Sequence, residues 1–123
     1  MPALADASLT PRERRALERL VGLLEAEFGP HLQAVWLYGS RARGEPPRDD
    51  SDVDLLVVSS RGDANDDLRA IELAFDAAMA EGVNPMVFSV KVYSPELLAQ
   101  RRSIESFFIR EVDRDKIVLA GEP

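Results

Sequence analysis

Two short stretches carry residue types that could do chemistry together. One is Gly39-Ser40-Arg41-Ala42-Arg43-Gly44; the other, one loop later, is Asp52-Val53-Asp54, which opens the apolar run Leu55-Leu56-Val57-Val58. In an extended strand, residues two apart project to one face, separated by about 6.6 Å. Asp52 and Asp54 would therefore stand as a carboxylate pair on the lip of a strand, repelling each other. A divalent cation relieves that repulsion, or a raised pKa on one member does. Carboxylates so placed can also converge on two metals about 3.5–4 Å apart, the arrangement that serves phosphoryl transfer. Magnesium suits such a site, because it takes a few carboxylates and fills its other positions with water and phosphate oxygens.

The Gly39-Ser40 stretch supplies the complementary half. A glycine at a strand end lets the chain turn tightly and lets amide N–H groups approach a phosphate with no Cβ in the way. If Ser40–Arg43 is a helical turn, its N-terminus favours an anion. The Ser40 hydroxyl can donate to a phosphate oxygen, and Arg43, with Arg41 as the weaker candidate, can add charge-assisted hydrogen bonds. A phosphate cradle followed by an acid pair is what moving a nucleotide out of a triphosphate requires. The residues thus point to a nucleoside triphosphate (NTP) as ligand and to Mg²⁺ as cofactor, two ions when nucleotide is bound. The bland alternatives are a pair of solvated strand-end carboxylates and, for the arginines, solvated loop charge.

Other chemistries are excluded. Gly39 and Gly44 have the spacing of a P-loop, but Glu45 and Pro46 stand where Lys and Ser/Thr are needed. There is no cysteine and one histidine, His31, which removes disulfides, thiolate zinc sites, a cysteine nucleophile and a multi-histidine centre. The net charge of −7 disfavours nucleic acid as a general partner. The opening MPALADASLT has no signal-peptide pattern, and no apolar run approaches the ~20 residues of a membrane span. The expectation is a cytoplasmic protein without a membrane role.

The elements that must position these residues follow from periodicity and punctuation. Thr10 as cap, Pro11 and Glu13 open a helix over Pro11–Phe28, with Leu17, Leu20, Val21, Leu24 and Phe28 on one face. Leu32–Tyr38 reads as a strand ending at Gly39, and about Asp52–Ser59 as a second, buried on both faces. A helix over Asp66–Ala80 presents Leu68, Ile71, Phe75, Ala78 and Met79 as its core stripe and ends at Gly82. A third strand is expected over Val83–Tyr93, irregular where Pro85 interrupts it. Ser94-Pro95-Glu96 opens another helix, Ile104–Val112 reads as a short one, and Lys116–Leu119 as a strand or extended tail. Within the pair Phe107-Phe108 one ring is left over for a partner, since one amphipathic face cannot bury both. The reading is α/β (α+β): a small mixed sheet covered by helices, forming one domain over residues 1–123.

The motif LYGSRARG, a loop, then SDVDLLVV resembles that of the minimal nucleotidyltransferases of the DNA polymerase β-like superfamily. The tail SFFIREVDRDKIVL also looks like the closing helix and strand of these domains. The resemblance implies the polymerase β-like nucleotidyltransferase fold and metal-dependent transfer of a nucleoside monophosphate, usually AMP from ATP, to a hydroxyl. It gives Gly39 and Ser40 the triphosphate, Asp52 and Asp54 the metals, and Arg43 and Arg41 phosphate contacts. It further implies a helical protein partner of the higher eukaryotes and prokaryotes nucleotide-binding (HEPN) type, with this chain as the antitoxin of a HEPN toxin.

Active members of that superfamily carry a third carboxylate on the next core strand. Here Glu81 to Glu96 encloses no acid, and the slot falls to Asn84 or Ser89; neither is a general base. Asp49 or Asp50 in the loop could supply the acid, or the acceptor could. The competing function is a catalytically weak or inactive module of the same fold that neutralises its partner by contact.

Overall fold

The computed structural model describes residues 4–46 and 52–123. Four strands form one mixed sheet in the order β3-β2-β1-β4: β1 is Leu32–Tyr38, β2 Val53–Ser59, β3 Phe88–Tyr93 and β4 Ile117–Gly121. Strand β1 runs antiparallel to β2 and β4, while β2 and β3 are parallel. The antiparallel β1–β2 pair is joined without a long helix, while the parallel β2–β3 pair is joined through a helix, as a crossover requires.

The helices cover both faces. Helix α1, Pro11–Phe28, and helix α3, Asp66–Ala80, pack on one face against Val35, Leu37, Val53, Leu55 and Val57. Helices α4, Pro95–Ser103, and α5, Phe107–Asp115, cover the other face, over Trp36, Tyr38, Leu56 and Val58. Successive strand residues face opposite layers, so the unbroken run Leu55–Val58 is fully buried. Each such side chain withdrawn from water contributes roughly 1.5–3 kcal/mol. The capping box starts α1 as expected: Glu13 N–H donates to Thr10 Oγ1 at 3.1 Å, and Thr10 N–H donates to Glu13 Oε1 at 2.9 Å. Ser94 caps α4 by accepting from Leu97 N–H at 3.0 Å. Among the described residues no helix is long and apolar enough to cross a membrane.

Three expectations are corrected. The core stripe of α3 is not Leu68, Ile71, Phe75 and Met79, which are all more than half exposed; Ala70, Leu73, Ala74, Ala77 and Ala78 face the sheet. The helix is apolar on two faces, and the alanine face packs inward because small side chains admit α1 alongside it. Strand β3 starts at Phe88 rather than Val83, because Pro85–Val87 winds into a 3₁₀ turn capped by Asn84, which accepts from Met86 N–H at 3.0 Å. The last helix begins at Phe107 instead of Ile104, which is exposed.

Candidate active site

Strand β1 ends at Tyr38 and turns directly into the short helix α2, Gly39–Ala42. Across the antiparallel ladder Tyr38 pairs with Asp54, and across the parallel ladder Asp54 pairs with Ser89. The acid strand therefore lies between the glycine-serine turn and β3, and one end of the sheet collects Gly39, Asp54 and Ser89. Asp52, exposed, stands immediately before β2; Asp54, half-buried, is its second residue.

Gly39 is where backbone and acid meet most closely. Its φ is +80°, and a Cβ there would lie 2.5 Å from Asp54 Oδ2. Any side chain would collide with the carboxylate and strain the turn, so glycine is dictated twice over. No side chain caps the first turn of α2, and Ser40 is half-buried beside it. Burial, reinforced by the charge of Asp52, pushes the Asp54 carboxyl up to about 6. Burial and then the Asp54 charge push the Tyr38 hydroxyl up as well. Without a cation the acid pair is thus electrostatically uncomfortable.

The two arginines separate in role. Arg41, read from sequence as the weaker phosphate contact, is 4% exposed. Its Nη1 donates to Glu13 Oε1 at 2.8 Å and to the Ser8 carbonyl at 2.9 Å, tying the turn to the start of α1. Burial would raise the Glu13 carboxyl, but hydrogen bonds from Arg41 and Thr10 outweigh it and hold the group below its ordinary range. Arg41 is turned toward the scaffold, and the capping glutamate doubles as its counterion. Arg43 is more exposed; its Nη1 donates to Asp115 Oδ2 at 2.7 Å, and its Nε donates to Glu45. It closes the turn against the end of α5 while keeping an accessible edge. Sequence spacing gave no sign of the Glu13 or Asp115 partnerships, which span 28 and 72 residues.

The slot of the third acid goes to Ser89, whose backbone is in register with Asp54; Asn84 caps a turn outside the sheet. Asp49 and Asp50 lie outside the described residues. Among the described residues no group of three or more histidines, cysteines or carboxylates comes together. The donor set is two carboxylates and a hydroxyl, all hard oxygens. That chemistry fits Mg²⁺, which needs only one or two protein carboxylates when phosphate and water complete its shell. The raised Asp54 carboxyl points the same way, toward a pair that gains from a cation.

A mixed sheet that sets a glycine-serine turn against an acid-apolar-acid strand, with helices on both sides, defines a nucleotidyltransferase-type fold. The family model for the nucleotidyltransferase domain matches residues 17–116, and the chain belongs to that family. A solved minimal nucleotidyltransferase is 31% identical over 89% of this chain and 97% of its own, with a TM-score of 0.52. A toxin–antitoxin crystal structure with AMP-PNP contains a chain 27% identical, covering 85% of this chain and 73% of that one, TM-score 0.52. A mutant MntA-HpeT toxin–antitoxin complex is similar in fold at 24% identity, covering 86% and 72%, TM-score 0.53. Curated proteins give no match.

Proposed function

We propose that this chain, acting as a single nucleotidyltransferase domain over residues 1–123, is a Mg²⁺-dependent enzyme of the cytoplasm. It transfers AMP from ATP to a hydroxyl of a protein partner and acts as antitoxin to a HEPN-type toxin. The observation that carries the reading is the close approach of Gly39 to Asp54 Oδ2, which sets a Cβ-free backbone turn directly against the second of the two acids. The similarity to a toxin–antitoxin chain solved with AMP-PNP, an ATP analogue, supports both nucleotide and partner.

In this reading the amide N–H groups of the Gly39-Ser40 turn and the Ser40 hydroxyl hold the triphosphate, and the accessible edge of Arg43 adds hydrogen-bond donors. Asp52 and Asp54 would hold the metal, which when bound supplies positive charge to the phosphate oxygens and polarises the α-phosphate. The acceptor oxygen bonds to the α-phosphorus, the bond to the β-phosphate oxygen breaks, and pyrophosphate leaves. Ser89 cannot take the acceptor's proton, so that proton passes to the partner, to solvent or to an acid outside the described residues.

The presence of Ser89 in register with Asp54 favours one second reading, neutralisation of the partner by contact alone. Incubation with α-labelled ATP, Mg²⁺ and a HEPN-type partner separates the two. Label is expected on the partner with the wild type and not with Asp52→Asn/Asp54→Asn. A partner neutralised without acquiring label would establish the second reading.

A further inference from the structure

We propose that Lys91 is a polyphosphate-contact residue of this site, its ammonium giving fixed positive charge to the anion received by the Gly39-Ser40 turn. The proposal rests on the reading of the site as a nucleotide site and names a residue that its sequence motif does not contain. Lys91 pairs with Leu56 across the parallel ladder, two residues beyond the Asp54–Ser89 pair. Residues two apart share a face, so Ser89 and Lys91 project to the same layer as Asp54.

The ammonium is seated where it can serve that end of the sheet. Lys91 is exposed, and its Nζ lies 4.3 Å from the centroid of the Phe108 ring. Phe108 packs edge-on against Tyr38, with centroids 5.4 Å apart, and Tyr38 is both the residue before Gly39 and the ladder partner of Asp54. An aromatic platform therefore links the cation to the acid strand. A ring face attracts an ammonium without cancelling its charge, whereas Arg41 and Arg43 are neutralised by Glu13, Glu45 and Asp115. No ion pair holds Lys91 among the described residues. In a chain of net charge −7, an ammonium with no salt-bridge partner among the described residues, on the sheet layer that carries Asp54, is out of keeping with a merely solvated face. With Ser89 in place of a third carboxylate, this end of the sheet carries one negative charge fewer and one available positive charge. That balance suits a polyphosphate.

Calorimetric titration of the full chain with ATP in Mg²⁺, at low and at moderate NaCl, tests this. Lys91→Met and Lys91→Gln are each expected to weaken ATP binding about tenfold, the effect of one charge-assisted contact, and to flatten its salt dependence. Lys91→Arg should restore both, and unfolding temperatures should stay at the wild-type value because the side chain is exposed. If Lys91→Met and Lys91→Gln bind ATP as the wild type does, or if Lys91→Arg loses as much as they do, the assignment is overturned while the nucleotide site stands. If the wild type itself binds no ATP in Mg²⁺, the nucleotide reading fails and the assignment with it.

Discussion

Replacing Asp54 by Asn should make the metal-free protein more stable while abolishing the proposed transfer of label to a partner. Asp54 has a folded-state pKa of about 6 against an ordinary 3.8, because burial and then the neighbouring Asp52 charge oppose its ionisation. The folded chain therefore binds this proton more tightly than the unfolded one, and stability falls as pH rises between about 4 and 6. The stabilisation is fully present below the unfolded value and gone above the folded one. The gap sets a ceiling of about 3 kcal/mol, and since Asp54 is only half-buried, solvent screening reduces this to about 1–2 kcal/mol. Asparagine keeps the shape and carries no charge, so at pH 7.5 in EDTA Asp54→Asn should unfold several degrees higher, at about 4 °C per kcal/mol for a domain of this size. The advantage should shrink to nothing below pH 4, where the wild-type carboxyl is protonated. Thermal unfolding followed by circular dichroism from pH 4 to pH 8 reads both effects. With Mg²⁺ and ATP present the order should reverse, since only the wild type gains from binding. An equal unfolding temperature for the two proteins at pH 7.5, or a gain independent of pH, would refute the electrostatic account of the pair.

Three further outcomes are expected. Gly39→Ala should cost about 1–3 kcal/mol from the left-handed turn and lose ATP binding, because its Cβ would lie 2.5 Å from Asp54 Oδ2; denaturant titration and calorimetry measure the two. Arg41→Met should strand the buried Glu13 carboxylate and lower stability by about 3 kcal/mol, an effect visible in urea midpoints without any ligand. Ser89→Asp should place a third carboxylate beside Asp54, raising label transfer to the partner in Mg²⁺ and lowering the unfolding temperature in EDTA; unchanged transfer would mean that this slot does not limit the chemistry.

The acid strand and the turn were legible because local rules fix them: a glycine ends one strand and an apolar run makes the next, whatever surrounds them, though Asp52, expected in that strand, stands just before it. The long helices were legible in extent for the same reason, from Thr10 and Pro11 at one start and Gly82 after the other. Which side of α3 turns inward was not, since Leu68, Ile71, Phe75 and Met79 make as good a stripe as Ala70, Leu73, Ala74 and Ala77 when only periodicity is read. The choice depends on how close α1 must come, a tertiary fact. The start of β3 was misplaced because a proline after an asparagine can bend a strand or replace its first residues by a capped turn, and here it does the latter. Arg41 was hidden for a different reason: nothing local distinguishes an arginine that meets a ligand from one that meets a glutamate 28 residues earlier.

The ion pair between Arg41 and Glu13 has a kinetic corollary. A four-residue helix cannot hold its own shape in water, yet this one is clamped to the first turn of an 18-residue helix. An incoming triphosphate would meet turn amides already aimed, with nothing in the Gly39–Ala42 turn itself left to order before the complex forms. Association should therefore proceed at a rate governed by encounter and ionic strength, in a single phase, and without the slow step that betrays a loop folding around its guest.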